Sequence, residues 1–492
     1  MLLTPIDFVI IVVYLIVMIV IGIACRGRQQ DANDFFTSGG TMSGTFGTIL
    51  VGLSLAATLF SGISFFAYPS LAYTDGAKVL CFALGSILIW PFIRYYFLPR
   101  YLGQGFTQPY EVIERQYGVV VRLVCASLFV SLRIGWMAAL IYAPTIALIG
   151  ATGLRHEWFW PIAAIIGVSC SIYTAFGGIR GVIVTDAIQF VLIIGGILFM
   201  LIYALIHLLA ADVDLLKILN NTGHLSAPSM SLDWQDTLSL WALIVAVPLA
   251  KLGNYIGDQM ALQRYLATGE VRACIRSFTV NIIGVVLVIT LLTFTGLILV
   301  VWYQTFPTPD LPEKADLIFP YFIATVLPSG VSGMLLAAIL AATMSSMTSG
   351  INALAATITL DFRRHLRRAD TASEELKFAR RISLGIGLIA TLCSGLMSSL
   401  GSIFDITQTI VGTFLGPLLA CMLLSVARVS IHSRVMVVAI IVGSIAGWGV
   451  ALLTDAGRLW ISPTAFFSCL LLAAAGWVIE HFRKSRSFYR VP

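Results

Sequence analysis

The chain has 492 residues, of which 59% are apolar and 11% charged, with a net charge of +6. A soluble domain of this size carries about 25% charged residues, so a soluble globular fold is excluded. Runs of about 20 apolar residues, enough to cross the hydrocarbon core of a bilayer, recur along the whole length. The positive charge therefore points to anionic lipid and to membrane orientation rather than to nucleic acid.

The first apolar run, 8–25, resembles a secretory signal in length. Yet the only charged residue ahead of it is Asp7, while Arg26 and Arg28 follow it. A signal has the opposite polarity and a small-residue cleavage site, so this run is expected to be a retained first span. Twelve more are expected at 45–70, 77–98, 119–148, 158–179, 184–208, 236–258, 274–302, 331–360, 379–400, 403–427, 433–453 and 460–481. With the N-terminus outside, 23 of the 30 Lys and Arg fall on the cytoplasmic side. These include Arg100, Arg115, Arg122, the Arg363/Arg364/Arg367/Arg368 cluster, Arg380, Arg381 and the tail from Arg483 to Arg490. Five (Lys78, Arg155, Lys217, Lys314, Arg458) fall outside, and Arg133 and Lys251 lie within spans. That asymmetry is the positive-inside pattern. The predicted class is an all-α integral membrane protein of about 13 transmembrane helices, in one transporter-like domain over 1–492, with the N-terminus outside and the C-terminus cytoplasmic. The eight cysteines form no CxxC pair and read as small apolar packing residues.

Four places break the apolar pattern, and polar groups at membrane depth are costly enough to require a reason. In the second span, Ser54, Thr58, Ser61, Gly62 and Ser64 precede Pro69. This is the composition of a helix that unwinds and offers its carbonyls to a cation, or of one that packs closely through small residues. In the ninth span, Ser345, Thr348, Ser349 and Asn352 recur at helical spacing and form one polar stripe. Their hydroxyls are hard ligands for an alkali cation, or alternatively interhelical hydrogen-bond partners. Asp186 opens the sixth span after Tyr173–Thr185 and is either a helix N-cap or an anionic ligand. Lys251 lies past the middle of the seventh span, two turns before Asp258. It needs an acid, an anionic solute, or a route to water along its helix. Arg133 in the fourth span poses the same question from nearer the cytoplasmic end.

Three segments, Tyr173–Gln189, Gly253–Tyr265 and Leu336–Asp361, resemble the sodium:solute symporter family, whose solutes include sugars, proline, sialic acid, iodide, monocarboxylates and vitamins. Ile141–Pro144, Thr152–Leu154, Asp258-Gln259 and Gln263–Tyr265 are similar to its iodide, monocarboxylate and vitamin branch. The resemblance implies a leucine-transporter-type 5+5 inverted repeat. One extra N-terminal helix (8–25) and two extra C-terminal helices (433–481) would flank a first repeat over 45–208 and an inverted second over 236–427. It implies a first sodium site on the carbonyls of Ala57, Phe60 and Ala342 and the hydroxyls of Ser345 and Ser346. A second would use Asp186 with Ser345, Thr348 and Ser349. Solute would sit among Ser61, Ser64, Ala83, Trp136, Lys251 and the Gln408/Thr409 region. The sialic acid carriers place an arginine where this chain has Trp136, and the sugar carriers place amides and acids where it has Ser64, Ala83 and Lys251. A small anion such as a monocarboxylate is therefore expected, carried with Na⁺ and without a cofactor. Proton coupling through Asp186 or Asp258, and sugar or amino-acid symport on the same fold, are the rivals. An enzyme, a channel and a sensor are disfavoured, since no paired catalytic groups, continuous polar pore or kinase segment is visible.

Overall fold

The computed structural model describes residues 4–25, 29, 31–236, 238–366, 371–397 and 403–488. Arg26, Arg28, Arg367, Arg368 and Arg490 lie outside them, as do the side chains of Thr152, Arg483, Lys484 and Arg486. Every regular element among the described residues is helical. In a solvent that offers no hydrogen bonds, a helix satisfies its own backbone.

The chain begins with α1 (Pro5–Ala24), α2 (Ala32–Thr37), α3 (Thr45–Leu59), α4 (Gly62–Asp75), α5 (Cys81–Phe92) and α6 (Leu98–Leu102). It continues with α7 (Glu111–Tyr117), α8 (Val119–Thr152), α9 (Phe159–Ala210), α10 (Leu215–Asn221), α11 (Val247–Leu252) and α12 (Gln259–Thr268). Next come α13 (Val271–Thr305), α14 (Ala315–Thr325), α15 (Val331–Ala356), α16 (Arg364–Leu366) and α17 (Ala372–Ser394). The last three are α18 (Ile403–Val426), α19 (Ser433–Leu453) and α20 (Ile461–Phe488).

Among the described residues, nine helical runs are long and apolar enough to cross a membrane, against the thirteen expected. The difference has local causes. Gly62–Leu102 and His156–Ala210 each run through two of the expected spans. The expected seventh span is the short helix Ala242–Gly257 followed by α12. Helix α17 opens on charged residues, among them Glu374, Glu375, Lys377, Arg380 and Arg381. Within α9 the direction changes at Gly178 (φ 58°, ψ −163°), a conformation closed to side chains with a Cβ. The short helices α2, α7, α10 and α14 carry no signal strong enough to be read beforehand; α2 meets α3 at 115°.

Asp7, the lone acid ahead of the first span, ties the molecule together. Its Oδ2 accepts from the N–H and hydroxyl of Thr4 at 2.8 and 2.7 Å, closing the start of α1. Its Oδ1 accepts from the N–H groups of Gly330 and Gly333, both at 2.8 Å, and so caps α15 from another helix. The centre of the bundle is α15, whose residues from Leu335 to Ala356 are all buried, against α9, α8, α1 and α17.

Close packing here depends on small residues rather than on solvent exclusion, because lipid is as apolar as leucine. A Cβ at Gly52 of α3 would lie 2.6 Å from both the Ser277 carbonyl oxygen and Val280 Cβ of α13, whereas one at Gly385 of α17 meets nothing within 4 Å. Gly52→Ala is therefore expected to destabilise the purified protein by about 1–3 kcal/mol. Gly385→Ala should stay within about 0.5 kcal/mol of wild type. Thermal unfolding in detergent compares the two, and equal behaviour would contradict the tight α3–α13 contact.

Candidate functional site

Helix α3 stops at Leu59 and α4 starts at Gly62; Phe60 (φ −101°, ψ 104°) and Ser61 (φ −94°, ψ 168°) are extended between them. A helix that stops leaves its last carbonyls without their usual N–H partners. Helix α15 supplies substitutes. The Ser345 hydroxyl donates to the Ala57 carbonyl at 3.1 Å and to the Ala342 carbonyl at 3.0 Å. The Ser346 hydroxyl donates to the Thr58 carbonyl at 3.0 Å. The approach requires Gly62, where a Cβ would lie 2.0 Å from Thr343 Oγ1. Ala57, Ala342, Ser345 and Ser346 are thus brought together beside Phe60, and the cluster is made of carbonyl and hydroxyl oxygens alone. Such neutral hard donors suit a monovalent cation, because a hydroxyl can turn its lone pair inward and its proton outward.

Behind this cluster lies a buried charge pair. Asp186 sits eight residues beyond the Gly178 turn, in the interior of α9, so it does not cap a helix. Its Oδ2 accepts from Ser54 Oγ at 2.7 Å, Arg264 Nη2 at 2.8 Å, Thr58 Oγ1 at 3.3 Å and Ser349 Oγ at 3.4 Å. Its Oδ1 is buried without a hydrogen-bond partner. Arg264, also fully buried, donates further to Ser54 Oγ at 2.9 Å, the Met260 carbonyl at 2.9 Å and Ser349 Oγ at 2.5 Å. Asp186 and Ser349 therefore share one cluster. Thr348 turns back to its own helix, donating to the Met344 and Ser345 carbonyls. The sequence reading missed Arg264 as the partner of Asp186. The available signal was a cation in the otherwise uncharged run 259–269, since a buried arginine demands an acid.

A cavity of about 160 Å³ opens against the α3–α4 break. Ser61, Ser64, Trp136 and Gln408 line it, together with Asn254 and Arg133. Lys251 and Ala83 are not among its lining residues. Lys251 lies half-buried one helical turn before Asn254, while the neighbour of Ala83, Phe82, faces the cavity. Among the described lining residues, the formal charge is supplied by Arg133 instead. Far from reaching water, Arg133 is 3% exposed, ion-paired with Asp258, and stacked 4.5 Å from the Trp136 ring centroid. Asp258 also caps α12, accepting from the Met260 N–H at 2.9 Å.

Eleven residues earlier on α8, Arg122 forms a second buried pair with Asp361, whose other oxygen accepts from Gln259 Nε2 at 2.9 Å. Arg122 also bonds Glu114 and Gln108. Partial burial alone would raise the carboxyl of Glu114, but the bonds and charges of Arg122 and His365 outweigh it and hold it below its ordinary range.

The sodium:solute symporter family model matches residues 35–466. The sodium/sialic acid symporter SiaT of Proteus mirabilis is 29% identical over 90% of this chain and 88% of its own length. The human sodium/iodide cotransporter is 27% identical over 90% of this chain and 66% of its own. A Na⁺-coupled sialic acid symporter, solved in a substrate-bound outward-open state with a novel Na⁺ site, superposes with a TM-score of 0.87 at 25% identity, covering 97% and 98% of the two chains. Mhp1, a nucleobase-cation-symport-1 family transporter solved with bromovinylhydantoin bound, shares the fold at a TM-score of 0.54 and 16% identity, over 88% and 93%.

Removing one partner of a buried ion pair leaves an uncompensated charge, at a cost of about 3–5 kcal/mol. Arg264→Met is expected to destabilise the protein by that amount, and adding Asp186→Asn should recover part of the loss. A double-mutant cycle of unfolding free energies reads the coupling, and additive losses would show that the two charges do not interact.

Proposed function

The chain belongs to the sodium:solute symporter family, and we propose that it couples inward sodium flow to uptake of a small organic anion, most simply a monocarboxylate. The observation that carries this reading is the meeting of Ser345 and Ser346 with the Ala57 and Thr58 carbonyls at the edge of a cavity. Ion and solute would then sit on opposite sides of one helix break.

On this reading the first sodium ion takes the carbonyls of Ala57, Phe60 and Ala342 and the hydroxyls of Ser345 and Ser346. A second would use the free Oδ1 of Asp186 with Ser345 and Ser349 nearby; Thr348 would have to turn away from its own helix to join it. Trp136 and Phe82 give the solute apolar walls, and Ser61, Ser64, Gln408 and Asn254 offer hydrogen bonds. On the same reading the C-terminus faces the cytoplasm of a cell-membrane transporter and the N-terminus faces outside, which the bias of Lys and Arg toward the inner segments supports. A 5+5 inverted repeat over 45–208 and 236–427 would supply alternating access, since the two broken helices, α3–α4 and α11–α12, open its two halves. Two sodium ions carried with one monovalent anion move net charge inward, which the membrane potential drives by about 2.3 kcal/mol per charge per 100 mV.

Proton coupling through Asp186 is less favoured. Its Oδ2 is already engaged by the Arg264 guanidinium and three hydroxyls, which leaves a proton on that oxygen no free place. Sugar symport is less favoured because the cavity wall carries a guanidinium rather than a carboxylate.

Sodium that binds the folded state must raise its melting temperature, by about 2.7 kcal/mol equivalent at a hundred times Kd. Sodium chloride, compared with potassium chloride, should stabilise the wild type. Ser345→Ala should shift the half-maximal sodium concentration up by about tenfold or more, as expected for a lost ligand. Equal stability in the two salts, with a pH-dependent solute effect instead, would replace sodium by the proton.

A further inference from the structure

Arg133 is placed unlike a structural arginine. It is 3% exposed yet lines the cavity, and its counterion, Asp258, is fully buried behind it. Its Nη2 faces Asp258, while its Nε–H is buried without any hydrogen-bond partner. The Trp136 ring, 4.5 Å away, and the Phe129 ring, 5.6 Å away, hold the guanidinium plane from the side. A buried donor left unmade is costly, and a guanidinium edge of two N–H groups matches the two oxygens of a carboxylate. Nε–H and Nη2–H form one donor edge, so a carboxylate reaching Arg133 from the cavity would take the unpartnered Nε–H together with the Nη2 that now faces Asp258.

We propose that Arg133 is the residue that reads the solute, taking its carboxylate on the Nε–Nη2 edge in competition with Asp258. The proposal rests on the cavity being the solute site and names its substrate class. The solute is a carboxylate of few heavy atoms, because a cavity of about 160 Å³ is close to the ~150 Å³ void that accommodates a benzene molecule. Lactate and propionate fit that volume, with the alkyl end against Trp136 and Phe82. A nine-carbon sugar acid does not.

The shared arginine also carries a mechanical consequence. Asp258 is the N-cap of α12, and Arg133 belongs to α8. Their pair ties α8 to the start of α12 at the cavity wall. A carboxylate that draws Arg133 away weakens that tie at the moment the cavity fills. Solute recognition and the α8–α12 tie thus compete for one guanidinium. Asp258 remains in place meanwhile, because its other oxygen stays on the Met260 N–H.

The test measures melting temperature of the full-length protein in saturating sodium chloride, titrated with propionate, lactate, the uncharged isostere propionamide, and N-acetylneuraminate. Wild type should be stabilised by propionate and lactate and not by the other two. Arg133→Gln should lose the carboxylate response and keep the sodium response, which also reports that the variant is folded. Arg133→Lys, a point charge without the fork, should need roughly tenfold more carboxylate or beyond. Asp258→Asn preserves the cap and removes the competitor, so its half-maximal carboxylate concentration should fall by about tenfold. A carboxylate response that survives in Arg133→Gln would overturn the assignment, as would a wild type that ignores both carboxylates while responding to sodium. Weaker binding in Asp258→Asn would overturn the competition. A carboxylate response that depends on Arg133 in a protein indifferent to sodium would uphold this inference and refute sodium coupling.

Discussion

A helix that stops inside a membrane must give its last carbonyls to something other than water, and this molecule is arranged around that constraint. The carbonyls of Ala57 and Thr58 go to the hydroxyls of Ser345 and Ser346. That solution dictates much else. The hydroxyls reach the carbonyls only if α15 lies against the break, which needs Gly62 bare of a side chain and α15 buried on every side. A helix buried all round cannot show an amphipathic period. The same hydroxyls suit the proposed sodium ion. Their protons satisfy the carbonyls when no cation is present, and their lone pairs take their place around one. Either state is hydrogen-bonded or coordinated, so neither is prohibitive and the ion can come and go.

Electrostatics divides along a single helix. Arg122 and Arg133 lie eleven residues apart on α8, close to three full turns, and so project from one face. Each meets an acid from the second half of the chain, Asp361 or Asp258. Buried pairs of this kind add little net stability over apolar packing, but leaving either member alone is expensive. They therefore act as discrete contacts that must break together or find substitutes. That property fits a closure alternating between two states better than a permanent strut. Arg122 has several partners besides Asp361, whereas Arg133 has Asp258 and a cavity. The Arg133–Asp258 contact is the one a ligand can trade for.

The sequence was legible where the physics is local. Apolar runs announced helices and a membrane, and the Ser/Thr stripe of the ninth span was visible from its spacing. The run of Ser61, Gly62 and Ser64 ahead of Pro69 allowed a break after Leu59 or close helix packing, and the extended Phe60 and Ser61 give the break; α15, equally rich in small and polar residues, stays helical throughout. What failed to show depends on distance in the chain. Arg264 is 78 residues from Asp186, and no periodicity links them. The family resemblance puts Lys251 at the solute pocket, while its own surroundings in the sequence leave an acid, an anionic solute or a route to water equally open. Arg133 poses the same question, and its place nearer a span end offers a route to water as one answer. The fold answers both: Asp258 turns Arg133 inward, and Lys251 stays off the cavity wall. The number of long apolar helices differs from the number of expected spans for a related reason, since the run Phe159–Ala210 carries two of those spans across the non-helical backbone of Gly178.

The two proposed sites meet in one residue. The Thr58 carbonyl accepts from Ser346 in the first sodium cluster, and its hydroxyl bonds Asp186 and Ser349 in the second. Thr58 also lines the cavity beside Ser61. An ion drawn to either cluster fixes Thr58, and with it the start of the unwound segment that forms the cavity's edge. Linkage then requires the reverse: whatever orders that edge from the cavity side must tighten the ion by the same factor. Coupling of this kind needs no relay across the protein. It needs the helix to break where it does, so that one turn of backbone serves ion and solute together.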